Sequence, residues 1–357
     1  MTSKERVRRT FGYEEADRVP RNYLANAHID RRLKARLGLE PEDTEGLLRA
    51  LGVDFRTVGL AYTGPRLHPE EEGRLVDPCY GVRCRWIPNE YGGYMDYCDF
   101  PLAGLDTETA LRWPMPDPED FDYRAFGEAC RQAGEYYVCY VNMPDVINAT
   151  GMIMGMEQTL IGLATDDRAV LTYIDRRLET QLENLRRALA AAGGALDCLW
   201  TGEDLGTQHA PLISPELFER HIRPRHQPFI DAAREAGAAV MMHSCGSSSW
   251  AFEAFIDMGV DVVDTLQPEA ADMSPRYLRD RFAPRLAFHG SISTAMLAEA
   301  TPAQVREICR DTVRTYGRGY ALAPTHMLQD NTPVDNALAM YDAGPEGEEP
   351  CREKKSS

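Results

Sequence analysis

The residues best suited to chemistry are a histidine and a cysteine at the end of one apolar run. His243 and Cys245 lie in the stretch MHSCG, at the end of the apolar run 238–242. Positions i and i+2 of a strand project to the same face, so the imidazole and the thiol should point the same way. Zinc binds Cys sulfur and His nitrogen tetrahedrally, and a catalytic zinc keeps one position open beside three protein ligands. The pattern predicts a zinc site, with a buried thiol beside a hydrogen-bonded histidine as the alternative.

Further ligands are expected after other apolar runs. His326 follows the last run, 320–323, and is the candidate for the third metal ligand. Glu203 and Asp204 follow the run 196–200 and are candidates for an occasional fourth ligand or for acid–base catalysis, because neighbouring carboxylates can split their pKa values. Adjacent residues of an extended chain point to opposite sides, so we expect one of the two to face the cavity and the other to cap a helix or form a salt bridge.

Three polar residues after other apolar runs are candidates for substrate binding: Asn142, Gln267 and His289. The Gln267 amide can orient a substrate amide or carboxylate, and a structural turn before Pro268 is the alternative. His289 and the serines that follow it can bind a phosphate or a carboxylate, with a loop-and-cap role as the alternative.

Helical patterns alternate with the apolar runs. Leucines and isoleucines recur every three or four residues from Leu171 to Leu189, and glycines then end this helix. Ser274 before Pro275 predicts another helix start, and Thr301-Pro302 with Gln304 predicts a capping box. Strands separated by helices imply right-handed crossovers and a parallel sheet. Eight runs are predicted as strands: 19–25, 55–59, 136–141, 196–200, 238–242, 260–266, 286–288 and 320–323.

Eight β/α units predict a TIM (β/α)8 barrel, an α/β fold whose active site lies at the C-terminal ends of the strands, where all the candidates above are found. An open doubly wound sheet is the competing fold, but no G-x-G-x-x-G follows a strand. The stretch from about 60 to 130 is predicted as an insertion that carries a β-hairpin, whose edge could pair in a homodimer. Residues 1–343 are expected to form one domain, and the polar tail 344–357 to be disordered.

The composition argues against several classes of protein and of binding partner. The 357 residues include 39 Lys plus Arg and 56 Asp plus Glu, for a net charge of −17. This acidity argues against nucleic acid as the main partner, although a local basic pocket is compatible with it. No segment approaches the ~20 apolar residues of a membrane span, and no signal peptide is evident. Nine cysteines spread over the chain do not resemble a disulfide framework, so we expect a cytoplasmic protein.

Several stretches of the chain form a recognisable combination: ERV at 5–7, DRVP at 17–20, MHSCG at 242–246, VDVVDTLQPEAADM at 260–273, HGSIST at 289–294 and LAPTHMLQDNTP at 322–333. Together they resemble the uroporphyrinogen decarboxylase superfamily, from about residue 4 to about residue 343 and most strongly after Leu196. The resemblance implies a TIM barrel with one of two chemistries. One is decarboxylation of uroporphyrinogen without a cofactor, and the other is zinc-dependent methyl transfer between a corrinoid and a thiol.

The methyltransferase branch fits the motifs better. The decarboxylases carry an arginine-rich stretch after the first strand, where this chain reads NYLANAH at 22–28. The H-x-C pair matches the zinc ligands of the methylcobamide:thiol methyltransferases, whose third ligand is a cysteine near the last strand, where His326 is the nearest candidate. The resemblance thus implies a small-molecule substrate and a corrinoid supplied by a partner protein. A cofactor-free decarboxylase of a smaller acid, and a corrinoid-protein binding partner with little chemistry of its own, are the alternatives.

Overall fold

The computed structural model describes residues 1–342, so the predicted tail at 344–357 lies outside the described residues. Within these residues ten strands are present, numbered in chain order: β1 Phe55–Val58, β2 Leu75–Val76, β3 Arg83–Ile87, β4 Tyr94–Tyr97, β5 Tyr137–Val141, β6 Cys198–Gly202, β7 Ala239–His243, β8 Val262–Asp264, β9 Ala287–Ile292 and β10 Tyr320–Pro324.

The α-helices of the same residues are α1 Ser3–Phe11, α2 Ala27–Arg36, α3 Thr44–Ala50, α4 Thr107–Arg112, α5 Tyr123–Gln132, α6 Asn148–Met154, α7 Met156–Thr165, α8 Arg168–Ala192, α9 Pro215–Leu217, α10 Arg223–Glu235, α11 Phe252–Met258, α12 Pro275–Phe282, α13 Thr294–Glu299, α14 Pro302–Tyr316 and α15 Val334–Tyr341. A π-helical turn, Phe218–Ile222, joins α9 to α10, and short 3₁₀ turns lie at Pro118–Asp120 and Ser249–Ala251.

Seven of the strands form one parallel sheet in the order β1-β5-β6-β7-β8-β9-β10. Neighbours in the sheet follow one another along the chain, apart from the insertion between β1 and β5, and helices connect them. The sheet is therefore curled in one direction, and the predicted TIM-like α/β barrel is confirmed. Strand residues are almost entirely buried in β6, β9 and β10, as expected for strands covered on both faces.

The segment predicted as the first strand, 19–25, forms no continuous strand. It makes isolated parallel bridges from Arg21 to Leu322 and from Ala25 to Leu328. Two features interrupt its ladder, since Pro20 has no backbone N–H and the Arg21 N–H donates to the side chain of Asp54 at 2.9 Å. The segment still closes the ring, because the Asn22 N–H donates to Leu322 O and the Asp54 N–H donates to Arg21 O, each at 2.9 Å.

The predicted helix signals are confirmed. The long helix α8 ends at Gly193, which adopts the left-handed conformation with φ of 57°. The Ser274 side chain accepts from the Tyr277 N–H at the start of α12. Thr301 and Gln304 form the reciprocal capping box at the start of α14. In each case the local sequence satisfies the backbone groups that a helix end leaves without partners.

The insertion after β1 carries the predicted hairpin. β3 and β4 pair antiparallel, with Trp86 opposite Met95, and β2 adds a short third strand on the other side of β3. The turn between β3 and β4 places the Tyr91 ring 6.4 Å from the His28 ring, centroid to centroid. Because His28 follows the C-terminal end of the 20–25 segment, the hairpin lies beside the C-terminal rim of the barrel.

One continuous hydrophobic core extends from Val7 to Tyr341. The eight cysteines of the described residues are all free thiols. Among these residues no helix combines the length and the apolar character needed to cross a membrane.

Candidate metal centre

The ends of β7 and β10 bring the three candidate metal ligands together. β7 ends at His243, Cys245 follows two residues later, and His326 lies two residues beyond β10. One donor atom from each residue lies within 4.8 Å of the other two, and His243 Nε2 is 3.4 Å from Cys245 Sγ. Nitrogen and sulfur ligands of one tetrahedral zinc are about 3.5 Å apart. The histidine and cysteine are therefore already spaced as zinc requires.

The backbone around Cys245 is fixed by two side chains and a close approach. The Cys245 N–H donates to Asp204 Oδ1 at 2.9 Å, and the Gly246 N–H donates to Gln267 Oε1 at 2.7 Å. Gly246 has φ of +71°, and a Cβ there would lie 2.3 Å from Gly206 O. Only glycine fits this position, so the chain turns sharply and leaves the thiol beside His243.

Asp264, the last residue of β8, connects two histidines below the candidate metal centre. Its Oδ2 lies 2.9 Å from His243 Nδ1, and its Oδ1 lies 2.6 Å from His289 Nδ1. Trp200 Nε1 also donates to Oδ2, at 3.1 Å. A carboxylate that accepts from Nδ1 leaves Nε2 of His243 free to face Cys245, which is the usual arrangement behind a metal-bound histidine.

Thr265 and Asn22 also contact the two histidines that Asp264 connects. Thr265 Oγ1 is 2.6 Å from His243 Nδ1, and Thr265 has φ of +83°, a strained conformation for a β-branched residue. His289 is fully buried, and its Nε2 lies 3.0 Å from Asn22 Nδ2. Both nitrogens of His289 thus have protein partners, and this predicted substrate-binding residue reaches the metal-ligand candidates through Asp264.

The two acidic residues after β6 point to different places, as expected for neighbours on an extended chain. Asp204 faces the candidate metal centre, with Oδ1 3.7 Å from His243 Nε2, while its Oδ2 accepts from Asn148 Nδ2 at 2.7 Å. Glu203 is buried in the opposite direction, where it accepts from the N–H groups of Val146 at 2.7 Å and Ile147 at 2.9 Å. Glu203 therefore fixes the loop after β5.

Glu203 belongs to a buried cluster with Asp145 and His226. His226 Nε2, from α10, lies 3.0 Å from Glu203 Oε2. Burial raises the pKa of Glu203 from 4.5 to about 7, and burial together with the nearby Glu203 raises the pKa of Asp145 well above its usual value. Burial lowers the pKa of His226 to about 4. The pKa shifts of all three groups thus favour their neutral forms.

The remaining predicted substrate-binding residue, Asn142, follows β5. It is buried, and its Nδ2 lies 3.4 Å from Tyr140 Oη. Its Oδ1 is buried with no hydrogen-bond partner within residues 1–342. A buried acceptor in this state can take a hydrogen bond from a bound molecule or a water.

The electrostatics of the centre favour positive charge at His243. Burial lowers the pKa of this imidazole, but the hydrogen bonds to Asp264 and Cys245 outweigh it and raise the pKa well above the usual value. Burial raises the pKa of Asp264, but the electrostatic attraction of His289 and the hydrogen bonds to both histidines bring it far below the usual value. Burial raises the pKa of the Cys245 thiol, opposed by its hydrogen bond to His243. A metal cation would meet the same favourable field as the proton.

Sequence reasoning missed Asp264, Asn22 and His226 as parts of this arrangement. The sequence holds a weak signal for Asp264, which ends an apolar run just as the other candidates follow theirs. It holds none for His226, which reaches the site from the middle of a helix.

The comparisons with known proteins agree with this architecture. Residues 147–346, more than half of the chain, match the family described as Uroporphyrinogen decarboxylase (URO-D). A comparison with curated proteins found no match. Among solved structures, the fold is similar to a methyltransferase from Methanosarcina mazei, with a TM-score of 0.64 and 14% identity over 96% of this chain and 98% of that chain. The chain belongs to the uroporphyrinogen decarboxylase family.

Proposed function

We propose that this chain is a zinc-dependent methyltransferase that acts between a corrinoid methyl carrier and a thiol. The observation that carries the proposal is the cluster of His243, Cys245 and His326 at the C-terminal end of the barrel, with donor atoms within 4.8 Å of one another. The fold likeness to the methyltransferase from Methanosarcina mazei supports the same class of reaction.

The donor set suits zinc. Two imidazoles and one thiolate are typical zinc ligands, and three protein ligands leave a fourth position for substrate. When bound, zinc holds a substrate thiol as the thiolate at neutral pH and so supplies the nucleophile. Asp264 orients His243, while Asp204 and Gln267 hold the backbone on either side of the Cys245 carbonyl.

Two other residues have roles in this proposal. Asp204, 3.7 Å from His243 Nε2, is placed to accept the proton that the substrate thiol releases. Asn142 offers its unpartnered Oδ1 to a hydrogen-bond donor on the substrate. Glu203 acts through Val146 and Ile147 and positions the loop that carries Asn148, the partner of Asp204.

The methyl carrier has to reach the C-terminal rim of the barrel. The insertion beside this rim exposes large apolar side chains, including Trp86 at 56%, Tyr94 at 53% and Tyr97 at 43%. Exposed apolar patches commonly mark protein interaction sites. We assign the contact with a corrinoid carrier protein to this surface; pairing of the insertion in a homodimer is the competing use of it.

Metal content tests the proposal directly. We expect about one zinc per chain in purified, dialysed protein, and clear loss in His243→Ala, Cys245→Ala and His326→Ala. Cys84→Ala is the matched control, because Cys84 is another partly buried free thiol but lies on β3 of the insertion. The control should keep its zinc. A wild-type chain that cannot be loaded with zinc would contradict the proposal and favour a metal-free, decarboxylase-like reaction.

Activity is the second measurement. Zinc-loaded protein should transfer the methyl group of methylcobalamin to a thiol, followed by the absorbance change of the corrinoid, and Cys245→Ala should not. Zinc binding without transfer to any of a panel of thiols would contradict the assigned reaction while leaving the metal site intact. If Cys245→Ala abolishes transfer but still binds the carrier protein, binding and chemistry are separate properties of the barrel.

A further inference from the structure

A cavity of about 520 Å³ lies at the other end of the barrel from the candidate metal centre. It is formed between the chain that follows α1 and the C-terminal half of α14. Gly319 and Tyr320, at the start of β10, line it, whereas His326 lies beyond the opposite end of the same strand. A molecule in this cavity therefore cannot touch the candidate metal centre.

The size and the walls of the cavity suit a small organic molecule. Ligand pockets in proteins commonly measure about 300–1,000 Å³ and have mainly apolar walls with a few polar groups. Val19, Val313, Tyr320 and Leu322 contribute apolar wall here. A ligand with an apolar body would gain from burial against them.

The polar groups of the cavity are mostly arginines. Five arginines line it, against two acidic residues: Arg18, Arg21, Arg310, Arg314 and Arg318 against Glu14 and Glu15. This basic concentration occurs in a chain whose net charge is −17. The guanidinium group binds phosphate and carboxylate in bidentate fashion, so the lining selects for oxyanions.

Some of these charges are already neutralised inside the protein. Arg18 forms an ion pair with Asp54 at 2.8 Å, Arg314 pairs with Asp311, and Glu14 pairs with Arg9 at 3.4 Å. These residues contribute shape more than net charge. The positive charge that is available to an anion therefore has to come from other residues that line the cavity.

Arg310 and Arg318 supply it. Neither side chain has a hydrogen bond or an ion pair with any residue of the 1–342 range. Guanidinium N–H groups without a protein acceptor are free to donate hydrogen bonds to an oxyanion. The two side chains lie on α14 and in the turn that leads to β10, on neighbouring parts of the wall.

We propose that this cavity binds a small organic anion, in which a phosphate or carboxylate group meets Arg310 and Arg318 and an apolar body packs against Val19, Val313 and Tyr320. The site is separate from the zinc chemistry proposed above, and its failure or success leaves that chemistry untouched.

Matched aromatic probes test the ligand class. Calorimetric titration of the full chain with 1-naphthyl phosphate, 1-naphthoate and 1-naphthol compares two oxyanions with a neutral molecule of the same apolar body. We expect at least one oxyanion to bind at least tenfold more tightly than 1-naphthol, and the better of the two identifies phosphate or carboxylate as the preferred group. Equal affinity for all three probes, or no binding of any, would overturn the proposal.

Variants locate the binding. The double variant Arg310→Gln with Arg318→Gln should bind the preferred probe at least tenfold more weakly, and Arg318→Gln alone serves if the double variant does not fold. Arg306→Gln is the control, because Arg306 is also on α14 but pairs with Asp342 outside the cavity. His243→Ala should bind the probe normally. Loss of binding in Arg306→Gln or His243→Ala to the same extent would place the probe elsewhere and refute the assignment.

Discussion

Asp264 illustrates what single residues contribute below the candidate metal centre. The sequence indicates His243 and Cys245 through their spacing alone, because strand periodicity places them on one face. It indicates Asp264 only weakly, since the contact depends on the register that sets Asp264 opposite His243 between β7 and β8. Register is a property of the assembled sheet, and the run VDVVD contains two aspartates that look alike in sequence. One of them, Asp261, ends up at the other end of the strand.

Because Asp264 contacts His243 and Asp261 does not, the two aspartates should differ in their effect on zinc affinity. Asp264→Asn replaces the carboxylate behind His243 with an amide, so it weakens control of the imidazole tautomer. Changes behind a metal ligand typically lower metal affinity 10–100-fold. We expect that loss in a chelator-competition measurement of the zinc Kd, with the structure retained by circular dichroism.

Asp261→Asn is the matched control. Its carboxylate accepts from the Val240 N–H at 2.8 Å, on the same strand pair but away from the centre, so the zinc Kd should stay close to the wild-type value. An unchanged Kd in Asp264→Asn would show that Asp264 supports the fold and not the metal ligand.

At the scale of secondary-structure elements, the loops that follow the strands are held by side chains from neighbouring β/α units of the barrel. The helices and their caps are predictable because they depend on local residues, as with Thr301 and Gln304. The loop after β5 is different, since Glu203, the residue after β6, holds it through backbone N–H groups, and His226 from α10 in turn contacts Glu203. Alternation along an extended chain predicts that the side chains of Glu203 and Asp204 point in opposite directions. It does not predict which of them faces the candidate metal centre.

Glu203 should make the free energy of unfolding of the chain depend on pH. Its pKa is raised from 4.5 to about 7 by burial, so the folded chain retains a proton that the unfolded chain releases. Its contribution is fully present below pH 4.5 and is lost as the pH rises through about 7. The pKa shift corresponds to a loss of about 3 kcal/mol in the free energy of unfolding.

Urea unfolding between pH 4.5 and 8 measures this effect. The difference in unfolding free energy between wild type and Glu203→Gln should fall as the pH rises, because only the wild type has to ionise a buried carboxyl group. Glu235→Gln, an exposed change at the end of α10, should leave the pH dependence of the wild type unaltered. A constant difference between wild type and Glu203→Gln across this range would contradict the assignment.

For the whole molecule, ring closure depends on the N-terminal segment. Asp54 is fully buried and accepts hydrogen bonds from Arg6 at 2.6 Å, Arg18 at 2.8 Å and the Arg21 N–H at 2.9 Å. It thereby ties α1 and the 20–25 segment to β1. The sequence predicts eight strands and hence a closed barrel. It does not predict that one of the eight closes the ring by isolated bridges and a side chain, because that depends on contacts between distant residues.

Asp54→Ala should therefore destabilise the entire fold. Removing one partner of a buried ion pair leaves uncompensated charge and typically costs about 3–5 kcal/mol. Asp17→Ala is the control, since Asp17 also pairs with Arg6 but is 43% exposed, and it should cost less than about 1 kcal/mol. Chemical denaturation gives both values, and similar small losses in the two variants would show that Asp54 does not hold the ring.

Ring closure also affects how the chain acquires its site during synthesis. The hydroxyl of Tyr341 donates to the backbone oxygen of Asn22 across 319 residues, and the Asn22 N–H donates to Leu322 O. At about 5–20 residues per second, a ribosome needs about 15–60 s to make the chain between those ends. Throughout that time the nascent barrel has an open edge, and His243 and Cys245 emerge before His326. The cluster of candidate metal ligands can be completed only when the last strand has left the ribosome.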